Sequence, residues 1–417
     1  MKTNNKILII CYSFPPHPGI GGRRWAKFSK LLSLKGYDVF VVGAENIYEN
    51  ASSWSKDINT AKIKLFSFNF NLQKIIKNPG STFNKILRKF VVFGLNRTKY
   101  TPHIITSLPN KFVWKNVRKI ISENNITKVI VSGDPYLFYY ASLLKKEMDF
   151  ELILDYRDLW NDHTFYDTNI KLSAKQKIFF ELAENFAVNN CNKIIFVDEY
   201  LELVIKKRIT SENVTTFVIH NGFDMDDLEK NPYDKGENDV INILFAGSIS
   251  SDLNNSLVEF VAGFERVSKE KPTLYDKFSV SIFGEMDNSL AKEIVDFKLS
   301  NLHIENRTLE ITDYYKQLRK SDVGLIILSE EYKNSFVTKF TDYLFYDKYI
   351  VVLGAKGYFN EYVLKQNMGL SFNVNDPETF FEDLLKSKNR SKISIKEKEK
   401  FDLDVLTKKL IDEVIQN

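Results

Sequence analysis

Short runs of β-branched and aliphatic residues recur along the chain between stretches with helical spacing. A first set comprises Lys6–Tyr12, Asp38–Gly43, Lys128–Ser132, Glu151–Asp155, Lys193–Val197 and Thr216–His220; a second comprises Ile241–Gly247, Phe278–Gly284, Asp322–Leu328 and Lys348–Gly354. The runs are apolar throughout instead of alternating, the pattern of strands in a parallel sheet covered on both faces. Helical text between them, such as Trp25–Leu34, predicts βαβ units and a doubly wound α/β fold. The runs of the second set end at glycine or a polar residue, where ligand loops sit at the carboxyl edge of such sheets.

Between the two sets, Asp224–Asp239 holds seven acids against Lys230 and Lys235 and almost nothing apolar. It reads as a linker, residues 223–239. This predicts two Rossmann-like domains, 1–222 and 240–400, facing each other across a cleft, with 401–417 as a C-terminal helix packing back on the first. The 417 residues, 44% hydrophobic with 33 Phe and 20 Tyr, supply two sizeable cores and exclude a disordered or disulfide-scaffold chain. Cys11 and Cys191 show no metal spacing and read as buried free thiols of a reducing compartment. No apolar run approaches the roughly 18 residues that span a bilayer. The run Ile7–Cys11 behind the charged start is too short for a secretory core, so a cytoplasmic protein is expected. The 58 basic against 54 acidic residues leave only +4, too little to argue for a nucleic-acid partner.

One region departs from the rhythm. From Ile58 to Ser122 there is no acid, while Lys and Arg number thirteen. Within it Ser81–Phe93 projects as an amphipathic helix, with Phe83, Ile86, Leu87, Phe90 and Val91 on one side and Lys85, Arg88 and Lys89 opposite. Such a helix either packs its apolar face on its own domain or lies in an anionic lipid surface. The length of the acid-free run favours lipid, predicting a membrane-facing insertion over 58–122 and a peripheral protein on the inner face of the cell membrane.

The first strand leads into Ser13-Phe-Pro-Pro-His-Pro-Gly-Ile-Gly-Gly-Arg-Arg-Trp25. Gly21 and Gly22 let backbone approach a ligand, and a helix starting near Arg23 presents free amides and a positive dipole end. With Arg23, this loop suits a phosphate or an acceptor group, although the spacing is not the dinucleotide GxGxxG.

The opening over residues 7–43 resembles bacterial family-four glycosyltransferases of the GT-B fold, of the capsule and O-antigen assembly type. Further likenesses follow in order: Ser132-Gly-Asp-Pro-Tyr136, Asp155-Tyr-Arg-Asp-Leu-Trp160, His220-Asn-Gly-Phe-Asp224, Phe245-Ala-Gly-Ser248 and Thr338-Lys-Phe-Thr-Asp-Tyr-Leu344. Together they span about residues 6–385. The resemblance implies a nucleoside-diphosphate sugar as co-substrate, held mainly by the C-terminal domain through Gly247 and Ser248. It also implies a glycan or lipid-linked acceptor on the N-terminal domain, retention at the anomeric carbon, and no metal or other cofactor.

The residues offer chemistry to match. A helix starting near Asn334–Phe336, including Ser335, would aim amides at a departing diphosphate. Lys339 one turn in and Asp342 three residues later share a face, Asp342 standing where the family has a ribose-gripping Glu. Asp158 and His163 follow an apolar strand and are the candidates for the reacting centre, with positioning roles instead of general-base catalysis. His17 and His220 read as structural. Two departures stand out: Asn334 occupies the place of the family's second acid, and the loop after Gly247 carries no base. That leaves Lys339, Arg307 or Arg23 to neutralise the diphosphate. They also keep open a non-catalytic GT-B partner in a polysaccharide assembly complex. A sugar-nucleotide epimerase of the same architecture would need paired catalytic carboxylates that are not evident.

Overall fold

The computed structural model describes residues 5–18, 20–48, 52–59, 62–70, 72–104, 106, 108, 111–161, 172–227, 239–247, 249, 253–387 and 393–416. The chain forms two compact units, 1–221 together with 403–417, and 222–402.

The first unit is a seven-stranded parallel sheet of β1 (Lys6–Cys11), β2 (Asp38–Ala44), β3 (Ile63–Phe68), β4 (Lys128–Ser132), β5 (Glu151–Tyr156), β6 (Lys193–Phe196) and β7 (Thr215–Val218), in the order β3-β2-β1-β4-β5-β6-β7. In register, Ile7 lies between Val39 and Lys128. Alternate residues of each strand feed two separate cores. On one face Ile7, Ile9, Val39, Val41, Ile130 and Ile153 meet Trp25, Phe28, Leu31 and Leu32 of α1 (Arg23–Leu34) and Leu406, Leu410 and Val414 of the C-terminal segment. On the other, Leu8, Ile10, Val129, Val131, Leu152 and Leu154 meet helices that include Lys111–Asn124 and Pro135–Lys145. Two covered faces are why these strands read as unbroken apolar text.

Three further helices lie between β2 and β4: α2 (Ser55–Asn59), α3 (Gln73–Lys77) and α4 (Thr82–Leu95). Ser81 caps α4 by accepting from the Asn84 amide at 3.2 Å. The faces of α4 differ from those expected. Leu87, Val91 and Leu95 turn inward and are half-buried, whereas Phe83, Ile86, Phe90 and Phe93 are exposed. Arg88 is exposed but bonds back to α3, its Nε donating to the Ile76 carbonyl at 2.8 Å. No helix among the described residues is long and apolar enough to cross a membrane.

The second unit repeats the plan with six parallel strands, β8 (Ile241–Ala246), β9 (Phe278–Phe283), β10 (Leu302–Glu305), β11 (Val323–Leu328), β12 (Tyr349–Gly354) and β13 (Gly369–Ser371), ordered β10-β9-β8-β11-β12-β13. Its core also has two faces, one under the Asn254–Glu270 helix, the other under the Thr338–Phe345 and Tyr358–Lys365 helices. The unit begins at Gly222, and the Phe223 amide donates to the Phe401 carbonyl at 2.9 Å within it. The start of the acidic stretch is therefore folded chain; residues 228–238 lie outside the described residues. Cys11 and Cys191 are buried free thiols, pushed up to about 11 and about 12 by burial.

At the carboxyl edge of the first sheet, Asp155 closes a buried knot. Its Oδ1 accepts from Arg24 Nε at 3.1 Å, and its Oδ2 from Trp25 Nε1 and Ser132 Oγ, both at 2.7 Å. Arg24 also donates to the carbonyls of Ile219 and His220, at 2.9 and 2.8 Å. Breaking a buried ion pair from one side costs about 3–5 kcal/mol because the survivor stays buried and uncompensated. Asp155→Ala and Arg24→Ala are each expected to lower the first unit's urea stability by about that much. The double variant should lose less than the sum. Losses within about 0.5 kcal/mol, the scale of a surface change, would show that the knot does not hold the edge.

Candidate functional site

The loops after β1 and β5 leave from the carboxyl edge that Asp155 organises. Gly22 precedes α1, and a Cβ there would lie 2.3 Å from the Ser13 carbonyl oxygen, so the returning loop fits only over glycine. Gly21 is held from the other loop, its carbonyl accepting from Arg157 Nη1 at 2.5 Å. Arg157 thus clasps Gly21, while Asp155 takes Arg24. Arg23 is buried, and its guanidinium lies 5.1 Å from the Trp54 ring centroid. The phosphate role expected for Arg23 therefore has little geometric support: cation–π packing occupies the guanidinium. Asp158 is half-buried and no described residue pairs with it. His163 lies outside the described residues.

The Ser132–Tyr136 motif is a helix start. Asp134 Oδ1 accepts from the amides of Tyr136 and Leu137 at 2.9 and 3.3 Å, and its other oxygen accepts from the Thr106 hydroxyl. Burial raises the carboxyl pKa, opposed by those donors. His17 Nδ1 lies 3.0 Å from the Pro18 carbonyl and His220 Nδ1 2.9 Å from that of Val197, both structural positions.

In the second unit, Gly247 ends β8 at φ +152, and its amide donates to the Phe283 carbonyl at 2.8 Å. A Cβ there would stand 2.2 Å from Lys339 Nζ. Lys339 therefore lies across the glycine backbone, its ammonium 4.1 Å from the centroid of the Phe245 ring. No described residue gives Nζ a hydrogen bond or close ion pair. Burial pulls its pKa down to about 8, with the nearby Asp342 carboxylate opposing the fall. Asp342 is buried one turn on, and its Oδ2 accepts from Tyr314 OH at 3.2 Å. The helix carrying both is pressed on β11, with Tyr343 OH donating to the Leu325 carbonyl at 3.2 Å.

The structure thus brings Gly247, Lys339 and Asp342 together. The expected helix start moves: residues 330–334 form turns, with Ser335 N donating to the Tyr332 carbonyl at 3.0 Å, and the helix begins at Thr338. Lys339 is consequently in the first turn, beside the amides at the helix start, instead of one turn in. Asn334 Oδ1 accepts from the Tyr358 amide at 2.9 Å and so serves the start of the Tyr358–Lys365 helix. Ser248 lies outside the described residues. Arg307 is paired with Glu305. Sequence reading missed Tyr314, which fixes Asp342, and Ser329, whose buried hydroxyl at the carboxyl edge of β11 has no partner among the described residues. Neither has a local spacing that would have singled it out.

Neither a protein-family model nor a curated protein sequence matches the chain. Solved structures do. A sucrose-phosphate synthase from Thermosynechococcus elongatus is similar at a TM-score of 0.60 and 10% identity, covering 97% of each chain. An alpha,alpha-trehalose-phosphate synthase (UDP-forming) from Burkholderia vietnamiensis matches at 0.59 and 10% identity, over 99% of this chain and 100% of its own. A UDP-GlcNAc 2-epimerase from Methanocaldococcus jannaschii matches at 0.57 and 11%, again over 99% and 100%. With the two repeated parallel sheets, this establishes the GT-B fold over the length of the chain.

Competitive acetylation across pH should find Lys339 titrating near pH 8, against about 10.4 for surface lysines. Gly247→Ala, by forcing the side chain off the backbone, should return Lys339 toward the ordinary range. A profile for Lys339 like that of the surface lysines would remove the desolvated ammonium from the site.

Proposed function

We propose that the protein is a glycosyltransferase moving a sugar from a nucleoside-diphosphate sugar to a glycan or lipid-linked acceptor, with retention at the anomeric carbon. The observation that carries this reading is the Lys339 ammonium, laid over Gly247 with no described hydrogen-bond acceptor, beside the first-turn amides of its helix. In the reaction the bond between the anomeric carbon and the phosphate oxygen breaks and its electron pair leaves with the diphosphate. The acceptor oxygen bonds to the same carbon, and its proton passes to the departing phosphate. Negative charge grows on the diphosphate, where a prepositioned cation and aligned amides stabilise it most. Asp342, held by Tyr314, is placed to accept from nucleotide hydroxyls. Asp158 orients the acceptor hydroxyl. Uridine diphosphate sugars rank first as donors, since two of the neighbours carry UDP in their names.

A non-catalytic partner in a polysaccharide assembly complex is the second reading, favoured by the base-free loop after Gly247 and by Asn334 serving as a helix cap. A panel of nucleoside-diphosphate sugars, assayed for diphosphate release and for calorimetric binding, separates the two. No binding at millimolar donor selects the partner role.

Lys339→Ala should weaken donor binding by about 1.5–3 kcal/mol, the scale of a charge-assisted hydrogen bond. The pH dependence has a definite sign. Below pH 8 the free protein already holds the proton and donor affinity is flat. Above it the ammonium is lost in the free state, whereas a bound diphosphate holds the proton on. Affinity should therefore fall up to about tenfold per pH unit, with proton uptake visible as buffer-dependent heats. A flat profile from pH 7 to pH 10, about the range that brackets this shift, removes Lys339 from the diphosphate.

Asp158→Asn should lower kcat/KM by about tenfold or more while leaving donor affinity unchanged. Equal loss of donor affinity would move Asp158 off the acceptor.

A further inference from the structure

We propose that α4 is a lipid-inserting element that seats the first unit on an anionic membrane surface. None of its 14 residues is buried. Phe83, Ile86, Phe90 and Phe93 are 73%, 52%, 70% and 60% exposed. Their spacing of three, four and three residues places them in one stripe along the helix. A helix this short is marginal in water on its own, and this one is held from its other side. Val91 and Leu95 pack against the first unit's core, and Arg88 Nε is bonded to the Ile76 carbonyl. The stripe is therefore an outward-facing feature of an anchored helix.

Charge selects the occupant. The stripe sits in the stretch from residue 58 to 122, which has thirteen bases and no acid. Lys85 and Lys89 are exposed on the same outward arc, and the Arg97 guanidinium lies 3.5 Å from the Phe93 ring centroid. At the end of α4, buried Gln176 donates to the carbonyls of Leu95 and Tyr100 at 3.3 and 2.7 Å. This fixes the Ala174–Val188 helix there, and that helix exposes Ile178 and Leu182 together with Lys175, Lys177 and a single exposed acid, Glu181, on that stretch. A second copy of the chain, meeting this patch with its own, would set bases against bases. A nucleic acid would answer the bases but offers no hydrocarbon for Ile86. An anionic leaflet answers both, taking the apolar face below the headgroups and the lysines among them. This inference does not depend on glycosyl transfer.

The test uses the full chain and vesicles of phosphatidylcholine, alone or mixed with phosphatidylglycerol. Sedimentation with the mixed vesicles should exceed that with neutral ones by about tenfold or more and fall as salt is raised. Phe90→Ser with Phe93→Ser, and Lys85→Glu with Lys89→Glu, should each lower binding by about tenfold. All four residues are exposed, so circular dichroism and urea unfolding should stay as in the parent. Phe90→Trp should shift its emission to the blue on mixing with the anionic vesicles. Equal sedimentation on both vesicle types would overturn the proposal, as would double variants that bind like the parent. A dimer in sedimentation velocity that Phe90→Ser dissolves would instead make the stripe a contact between copies.

Discussion

A fully buried carboxylate at the end of β5 governs the first unit. A buried carboxylate costs stability unless it is paired and hydrogen-bonded, and the chain gives Asp155 a guanidinium, an indole and a hydroxyl. Those groups come from α1 and β4, and Arg24 spends its remaining donors on the carbonyls that follow β7. Four segments distant in sequence are thereby tied to one point on the carboxyl edge. The chain leaving β5 then divides one motif among three tasks. Asp155 faces inward as the anchor, Arg157 clasps Gly21, and Asp158 is left at the edge with no described partner.

The second unit handles charge the opposite way. Where Asp155 is given every partner, Lys339 is desolvated over Phe245 and Gly247 with only a neighbouring carboxylate to oppose the cost. A cation kept in that condition loses stability in the empty site and regains it when an anion arrives. The same desolvation that lowers the pKa strengthens any contact with a diphosphate, because the local dielectric is low. One underpaired lysine and a helix start can then do what a loop bearing several bases does elsewhere.

The central strands were legible because both faces of each sheet are covered, which leaves continuous apolar text. The strands the sequence hid, β3, β10 and β13, all lie at sheet edges, where half-exposure mixes Lys64, His303 and Ser371 into short runs. Of the site, Lys339 and Asp342 were readable from helical spacing, because three residues on one helix face is a local rule. The partners of Asp155 were not, since Arg24 and Asp155 are 131 residues apart and nothing local marks their pairing. The same limit applies to the arginine pair: adjacent arginines on a helix point different ways, and only the folded chain shows Arg24 on Asp155 and Arg23 over the Trp54 ring. The helix start near Asn334 was misplaced because Asn and Ser are residue types that cap a following helix, whereas Asn334 accepts from an amide of a different helix, 24 residues on.

The two faces of α4 mark where the logic of the fold ends and that of a partner begins. In the sheet cores of the first unit, apolar side chains are matched by strands or helices that cover them, as Trp25 and Phe28 are on one sheet face and Phe138 is on the other. On α4 the matching stops halfway round: Val91 and Leu95 are covered, while Phe83, Ile86, Phe90 and Phe93 are not. A scattered exposed phenylalanine needs no account, but four in register on one anchored helix form a surface with its own cost in water. Sequence economy alone would have placed polar residues there. The acid-free tract around them removes the residues that would repel an anionic interface, so hydrophobic pattern and charge pattern agree on the same neighbour. Because α4 belongs to the same unit as Asp158, a lipid surface that holds the helix also holds the proposed acceptor residue at a set depth. A lipid-linked acceptor, whose reactive hydroxyl stays close to the headgroups, is the substrate that such a fixed depth serves.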